Sequence, residues 1–309
     1  MRVVLLAGGV GGARFARGLV EAVDELTIVG NVGDDVEVLG LHVSPDLDTL
    51  LYTLAGLSDE ERGWGRADET WNALAAAQEP GEETWFQLGD RDIGLHLVRT
   101  LALREGEPLS AITVRLAEAA GLGPTLLPAT DDRLRTWIDT PAGPFAFQDW
   151  FVRRGHRDPV DAVRFEGAED ARPAPGVLEA VEVADLIAIA PSNPFVSVAP
   201  ILAVRAIREA LERRRVPAVA VSPLIGGRAV KGPAAAMFQR LAGGTEPGHV
   251  ASCYEGLIDA LVFDEADADG ADAVAELGVR PVVTETLMRD DETRRRLAET
   301  VADVAAATR

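Results

Sequence analysis

The 309-residue sequence predicts an α/β fold, in which helices cover both faces of a mainly parallel sheet. Two observations favour this fold class: short apolar runs alternate with helix-compatible segments, and a glycine-rich loop directly follows the first run. The apolar runs are Val3–Leu6, Thr27–Val29, Leu186–Ala190, Ala218–Ser222, Ala260–Phe263 and Pro281–Thr284. Runs of this length and spacing are typical of a doubly wound, Rossmann-like sheet.

Helical periodicity is clearest in segments 199–213, 232–241 and 290–306, whose outer faces are rich in Arg and Glu. Between about residues 58 and 174 the pattern changes, and helices are mixed with short β-like pieces such as Thr136–Asp139 and Ala162–Phe165. We therefore predict a nucleotide-binding core made of residues 1–57 and 175–309. Residues 58–174 are predicted to form a mainly helical insertion with a small β element, which covers the site. The acidic segment 264–272 is predicted to be a solvated loop.

The composition is that of a soluble globular protein, with 47% hydrophobic and 26% charged residues. The net charge of -20 repels a phosphate backbone, so we expect no nucleic-acid partner. A phosphate-bearing ligand would need local cations, backbone amides or a metal ion. The single cysteine, Cys253, leaves no internal disulfide and no CxxC zinc site. Because the sequence shows no leader pattern and no 18-residue apolar run, we expect a cytoplasmic protein without a membrane partner.

The glycine loop between Ala7 and Arg14 stands between a predicted strand and a predicted helix. This arrangement turns backbone N–H groups and a helix N-terminus toward a phosphate. Gly8, Gly9, Gly11 and Gly12 allow a ligand to approach the main chain, and Arg14 could help to neutralise it. The loop fits neither the dinucleotide fingerprint, because Arg14 replaces a glycine, nor a P-loop, because no Gly-Lys-Ser/Thr follows. A tight turn without a ligand is the alternative.

Two acidic motifs follow the second predicted strand: Gly33-Asp34-Asp35 and Pro45-Asp46-Leu47-Asp48. Asp48 could simply be an N-cap at a helix start. Paired carboxylates in a loop can also hold Mg²⁺ or place a base beside a hydroxyl. We expect all four aspartates to lie near the same sheet edge.

Other polar turns also contain candidate residues. The Gly89-Asp90-Arg91-Asp92 turn is either a turn followed by an N-cap or a contact for a flat polar ring. After later strands come Ser192 and Asn193, then Ser222, Gly226 and Gly227, all of which could hold a nucleotide. Lys231 is the only lysine of the sequence and precedes a helix, where its charge opposes the helix dipole. This placement favours a bound phosphate beside it. The four histidines show no metal-binding spacing.

Taken together, the motifs resemble the 2-phospho-L-lactate transferase (CofD/FbiA) family. They are GGVGGARFARGL, NVGDD, SPDLDTLLYTLAGL, WFQLGDRDIG, APSNP, SPLIGG and VKGP, in the family's order from residue 1 to about 290. The resemblance implies a transferase of coenzyme F420 biosynthesis. A guanosine diphosphate (GDP)-linked donor would give phosphoenolpyruvate or 2-phospho-L-lactate to the ribityl hydroxyl of the deazaflavin Fo. GMP would leave, and the product would be (dehydro) coenzyme F420-0.

The resemblance also implies roles for individual residues. Asp48 would contact Fo and, with Asp46, would be catalytic, while the turn of Asp90, Arg91 and Asp92 would also contact Fo. The family typically has lysine where Arg91 stands. The glycine loop, Ser192, Asn193 and the turn with Ser222, Gly226 and Gly227 would surround the GDP moiety, with Arg14 and Lys231 beside its phosphates. Mg²⁺ is the expected cofactor, on one or more of Asp34, Asp35, Asp46 and Asp48, and a homodimer is the expected assembly.

Two alternatives remain open at this level. One is a non-enzymatic, nucleotide-sugar-binding regulator of the same superfamily, which begins with a similar glycine loop. Segments 44–49 and 88–92, which suit a deazaflavin acceptor, disfavour it. The other is an NAD-dependent dehydrogenase, which fits the fold class but not Arg14 and Asn31.

Overall fold

The computed structural model describes residues 1–307. Its strands are β1 (Arg2–Ala7), β2 (Glu25–Gly30), β3 (Val36–Val38), β4 (Leu41–Val43), β5 (Thr125–Pro128), β6 (Arg135–Thr140), β7 (Gly143–Ala146), β8 (Ala162–Glu166), β9 (Leu186–Ile189), β10 (Ala218–Val221), β11 (Leu224–Ile225), β12 (Arg228–Ala229), β13 (Ala260–Asp264) and β14 (Arg280–Thr284). Its α-helices are α1 (Gly9–Ala22), α2 (Pro45–Leu54), α3 (Asn72–Gln78), α4 (Asp90–Arg104), α5 (Leu109–Ala119), α6 (Val177–Val183), α7 (Ala199–Ala203), α8 (Arg205–Glu212), α9 (Ala234–Met237), α10 (Pro247–Ser252), α11 (Ala271–Glu276) and α12 (Asp291–Ala306).

A seven-stranded sheet forms the centre of the molecule, in the order β14-β13-β10-β9-β1-β2-β5. Every neighbouring pair in it is parallel. All six apolar runs predicted as strands belong to this sheet, so the α/β, Rossmann-like fold class is confirmed. Strands β9 and β10 are buried at every position, as expected when helices cover both faces.

One strand of the sheet comes from the segment that was predicted to be an insertion. β5 pairs with β2 over Thr125–Pro128, so the prediction that residues 58–174 lie outside the core is wrong for this strand. Its four residues, Thr-Leu-Leu-Pro, contain one β-branched side chain and end in proline. Such a run is too short to separate an edge strand from a loop by periodicity.

The rest of that segment contains helices α3, α4 and α5 and a small antiparallel sheet of order β7-β6-β8. The predicted β pieces pair there, with Thr136 opposite Phe165. Helix 199–213 is interrupted at Val204, and segment 232–241 continues from α9 into a π-helical turn, Phe238–Ala242. The predicted acidic loop is instead largely a 3₁₀-helix, Glu265–Gly270.

The topology places a crevice beside the central strand. β1 lies between β2 and β9, so the chain continues to β2 and β5 on one side of it and later returns to β9 on the other. Three turns meet there at the carboxyl ends of the strands: the glycine loop after β1, residues 31–35 after β2 and residues 190–193 after β9. Open α/β sheets bind ligands at such a switch point. Within residues 1–307, no helix is both long and apolar enough to cross a membrane.

Candidate active site

A cavity of about 800 Å³ opens at this crevice. Its walls come from the core and from the segment 58–174. The predicted site residues that line it are Gly8, Gly9, Gly11, Arg14, Asp34, Asp46, Asp48, Asp92, Ser192, Asn193, Ser222 and Lys231. Those that do not line it are Gly12, Asp35, Asp90, Arg91, Gly226 and Gly227. The structure therefore brings most of the predicted residues together.

The glycine loop is packed tightly against the turn that follows β9. A Cβ atom on Gly11 would lie 2.7 Å from the carbonyl oxygen of Pro191, and one on Gly12 would lie 2.7 Å from Ser192 Oγ. Ser192 Oγ in turn donates to the carbonyl of Gly8 at 2.7 Å. Glycine at these positions is thus required by close approach of two turns, and Gly12 serves this packing instead of the cavity.

The N-terminus of helix α1 faces the cavity. Gly8 is its N-cap, and the first-turn amides have no acceptor inside the helix. The Gly9 amide donates to Asp46 Oδ1 at 2.7 Å, while Val10 and Gly11 follow it along the cavity wall. Amides at a helix start favour an anion, so this part of the wall suits a phosphate.

Asp34 and Asp46 form a buried pair of carboxylates that share one donor. Asn31 Nδ2 donates to Asp46 Oδ2 at 2.9 Å and to Asp34 Oδ1 at 3.3 Å. Gln148 Nε2 contacts Asp34 Oδ2 at 3.3 Å. Burial raises the pKa of Asp34 well above its usual range, and the charges of Asp46 and Asp35 raise it further. Burial likewise raises the pKa of Asp46 to about 6.

The other two aspartates of the predicted metal set have protein partners. Asp35 Oδ2 lies 2.9 Å from His42 Nε2 and accepts from Ser44 Oγ, whereas Asp48 pairs with Arg99. Across residues 1–307, no three His, Cys, Asp or Glu side chains form a group able to hold a metal. The chemistry of the Asp34–Asp46 pair nevertheless fits Mg²⁺, which is commonly held by one or two carboxylates together with water and substrate phosphates. Of the four aspartates predicted as ligands, Asp34 and Asp46 are the two without a basic partner in an ion pair among residues 1–307, and both the Mg²⁺ ion and its ligands stay predictions.

Asp48 does not cap helix α2, because Ser44 occupies the N-cap position. Its carboxylate instead forms a buried ion pair with Arg99 of α4. Arg99 Nη1 donates to Asp48 Oδ2 at 3.0 Å, and Nη2 donates to Oδ1. Arg99 Nη1 also lies 3.2 Å from His96 Nδ1.

The turn at residues 89–92 sends its three charged side chains in different directions. Asp90 caps helix α3, accepting from the Ala73 amide at 2.9 Å. Arg91 is exposed, and its backbone amide donates to Glu69. Asp92 alone reaches the cavity, where burial raises its pKa to about 6 with help from the charges of Glu69 and Asp48. The proposed Fo contacts of Asp90 and Arg91 stay predictions.

The later turns contribute fewer contacts than predicted. The amides of Gly226 and Gly227 donate to Asp267 at 2.8 and 2.9 Å, so an acidic side chain occupies them. Lys231 is the only lysine of the sequence, and its ammonium lies so close to Gly63 that a Cβ there would overlap it. Among the described residues, neither Lys231 nor Arg14 forms an ion pair with an acid. Two unpaired cations lining one cavity of an acidic protein indicate an anionic ligand.

Sequence reasoning missed four polar residues of the site. Asn31 and Gln148 support the carboxylate pair, and His96 and Arg99 support Asp48. Asn31 directly follows a strand, and this position could have drawn attention to it. The other three lie in helical or loop patterns that predict solvated side chains, so no local signal marks them.

Fold and cavity together define a Rossmann-like α/β protein with a cavity at its switch point whose walls suit an anionic ligand. The model of the family described as 2-phospho-L-lactate transferase CofD matches residues 3–302, and the chain belongs to this family. It is accordingly a transferase, and the dehydrogenase and regulator alternatives are set aside.

Curated relatives agree with this assignment, and a solved structure shares the fold. The phosphoenolpyruvate transferase of Streptomyces coelicolor is 44% identical over 99% of this chain and 98% of its own. That of Thermobifida fusca is 42% identical with the same coverage, and that of Mycobacterium tuberculosis H37Ra is 39% identical over 92% of this chain and 94% of its own. Protein BH3568 from Bacillus halodurans has the same fold, with a TM-score of 0.66, 18% identity and coverage of 97% and 99%.

Proposed function

We propose that the protein transfers a phosphoenolpyruvate moiety from a GDP-linked donor to the terminal ribityl hydroxyl of Fo. The hydroxyl oxygen forms a bond to the distal phosphorus, the bond from that phosphorus to GMP breaks, and the hydroxyl proton is released. The product is dehydro coenzyme F420-0. The observation that carries the proposal is one cavity that joins anion-binding amides, two unpaired cations and a buried pair of carboxylates. Phosphoenolpyruvate is preferred to 2-phospho-L-lactate because the relatives aligned over 99% of the chain are named phosphoenolpyruvate transferases.

The donor would lie at the glycine loop. First-turn amides of α1 would receive its phosphate oxygens, and Arg14 and Lys231 would supply the positive charge that an otherwise acidic chain lacks. Ser192, Asn193 and Ser222 line the same side and offer polar groups to the guanosine part. Gly226 and Gly227 would act indirectly, because their bonds to Asp267 hold the β11–β12 hairpin that precedes Lys231.

Mg²⁺ would be held by Asp34 and Asp46. The metal would neutralise charge on the donor phosphates, which is the main requirement of phosphoryl transfer. Asn31 and Gln148 orient the two carboxylates, and the Gly9 amide ties Asp46 to the glycine loop. This arrangement would bring the carboxylates beside the phosphates.

The acceptor would lie along the wall formed by α2 and α4. Asp48 and Asp92 line this wall, and the rings of Phe86, Phe147 and Phe151 line the same cavity. Phe147 and Phe151 are stacked with centroids 5.3 Å apart, an arrangement that suits contact with a flat ring such as a deazaflavin. Asp46 or Asp48 would orient or deprotonate the attacking hydroxyl.

We further propose a homodimer that acts in the cytoplasm. The dimer is implied by the family resemblance, and one exposed helix face supports it. Leu97, Val98 and Leu101 lie on α4 with 48%, 43% and 49% of their surface exposed. Size-exclusion chromatography with light scattering would test the dimer.

The direct test combines purified protein, Fo, Mg²⁺ and either the enolpyruvyl or the lactyl diphosphoguanosine donor. Mass spectrometry should find GMP and a phosphodiester of Fo, with faster turnover of the enolpyruvyl donor and no product in excess EDTA. Absence of both products with either donor would contradict the proposal. Equal product in EDTA would contradict only the metal.

A further inference from the structure

A buried three-residue cluster joins helices α2 and α4 at the wall proposed to hold the acceptor substrate. Asp48, His96 and Arg99 are 5%, 2% and 2% exposed. Asp48 and His96 line the cavity, whereas Arg99 lies behind them and does not. A charge buried at this position has to be held by partners, so the contacts of Arg99 determine how the other two side chains are presented.

The hydrogen bonds of the cluster are compatible with one tautomer of His96. The two terminal nitrogens of Arg99 donate to the two oxygens of Asp48, a forked contact that fixes the plane of the carboxylate. Arg99 Nη1 also lies 3.2 Å from His96 Nδ1. Because a guanidinium only donates, His96 Nδ1 has to accept, so the ring proton is on Nε2. Burial also lowers the pKa of His96 to about 4, in agreement with a neutral ring.

The cavity wall therefore presents one hydrogen-bond acceptor and one hydrogen-bond donor side by side. The Asp48 carboxylate is the hydrogen-bond acceptor. The Nε2–H group of His96 is the donor, and it has no protein acceptor among residues 1–307. A hydroxyl can donate to the first and accept from the second. A carbonyl has no proton for Asp48, and an ammonium has no lone pair for His96.

We propose that Arg99 is a positioning residue that fixes Asp48 and His96 as a binding site for a hydroxyl of the acceptor substrate. This inference rests on the proposed function and names the attacking ribityl hydroxyl as the group bound. Asp46 and Asp48 both start from the first turn of α2 and line the same cavity, so a hydroxyl held at Asp48 shares that cavity with the carboxylates proposed to face the donor. His96 is then a specificity-determining residue, in addition to the carboxylates.

Variants of His96 test this inference without removing a buried charge. His96→Gln keeps an N–H donor near the position of Nε2, whereas His96→Leu removes it. Arg99→Lys keeps a cation beside Asp48 but loses the fork, so folding is retained better than in a neutral variant. Arg104→Met is the matched control, because Arg104 is on the same helix and bonds only the carbonyl of Gly40 at the surface.

The ligands are Fo and an Fo analogue that lacks the terminal ribityl hydroxyl. Fluorescence titration of the deazaflavin gives Kd for each, calorimetry gives Kd for GDP, and thermal unfolding reports the fold. Wild type, His96→Gln and Arg104→Met should bind Fo about tenfold more tightly than the analogue, as expected for a buried hydrogen bond. His96→Leu should bind Fo as weakly as the analogue, with GDP affinity unchanged. Arg99→Lys should lower kcat at least tenfold, with an unchanged KM for the donor.

Each other outcome has a distinct meaning. If wild type transfers to Fo but His96→Leu still discriminates between Fo and the analogue, this inference is overturned and the proposed function stands. If His96→Leu loses affinity for both ligands equally, the histidine is structural and the inference is again overturned. If wild type shows no Fo binding above the buffer blank, both this inference and the proposed function are overturned.

Discussion

Replacing Asp92 by asparagine should stabilise the protein at alkaline pH. Asp92 is 5% exposed in the cavity wall, and its Oδ1 has no hydrogen-bond partner within residues 1–307. Burial, together with the charges of Glu69 and Asp48, raises its pKa from 3.8 to about 6. The ionised carboxylate thus destabilises the folded state, and an amide of the same shape would not.

The size of the effect follows from the pKa. A shift from 3.8 to about 6 corresponds to about 3 kcal/mol, which is the penalty for ionising Asp92 in the folded protein above pH 6. The asparagine leaves an unpaired amide, at a cost of about 1 kcal/mol. We expect Asp92→Asn to be about 2 kcal/mol more stable than wild type at pH 8. Because the pKa of Asp92 is raised in the folded protein, its neutral carboxyl stabilises wild type fully below the unfolded pKa of 3.8, and this stability is lost as the pH rises through about 6. The advantage of Asp92→Asn over wild type should therefore vanish by pH 4.

Urea unfolding of both proteins between pH 4 and pH 8 measures this difference. The difference in free energy of unfolding should change by about 2.5 kcal/mol over that range, with its midpoint near pH 5, between the unfolded pKa of 3.8 and the folded pKa of about 6. Asp170→Asn is the control, because Asp170 is exposed and its substitution should change stability by less than about 0.5 kcal/mol at any pH. Parallel curves for Asp92→Asn and wild type would refute the reasoning.

Three further predictions concern the site. Asp48→Asn should lower kcat at least about 100-fold, because it removes a group that orients or deprotonates the hydroxyl. Calorimetry should show an unchanged Kd for GDP. Unchanged turnover would exclude Asp48 from catalysis. Lys231→Ala should weaken GDP binding about tenfold by loss of one charge-assisted hydrogen bond. GDP should also slow amine acetylation, because Lys231 and the N-terminus are the only amines that the reagent can modify. An unchanged Kd for GDP would limit Lys231 to loop packing. Gly11→Ala should lower the free energy of unfolding by about 1–3 kcal/mol, because its Cβ would lie 2.7 Å from a backbone oxygen of Pro191. Gly123→Ala, with nothing within 4 Å, is its control in the same urea titration, and equal stability of the two variants would contradict the clash.

Local patterns were sufficient for the frame of the site. The run Val3–Leu6 and the glycine loop predict a strand and a helix start, and both form because the apolar run is buried in the sheet and glycine permits the close approach of the loop to a neighbouring turn. The position after the second strand also predicted that the four aspartates would lie near one sheet edge, and three of them, Asp34, Asp46 and Asp48, line the cavity there. Strand β5 was missed because an edge strand of four residues has no periodicity to detect.

The roles of like residues could not be predicted, because they depend on partners far away in the sequence. Asp46 and Asp48 stand two residues apart in one motif, yet one bonds the Gly9 amide and the other Arg99, which is 51 residues distant. The local sequence around Gly227 predicts a phosphate-binding glycine, but in the structure its amide donates to Asp267. A carboxylate that repels a buried neighbour attracts a metal, whereas one that meets a guanidinium becomes a fixed hydrogen-bond acceptor. Under the proposed function, the same residue type would face the donor at Asp46 and the acceptor substrate at Asp48, because the fold gives the two aspartates different partners.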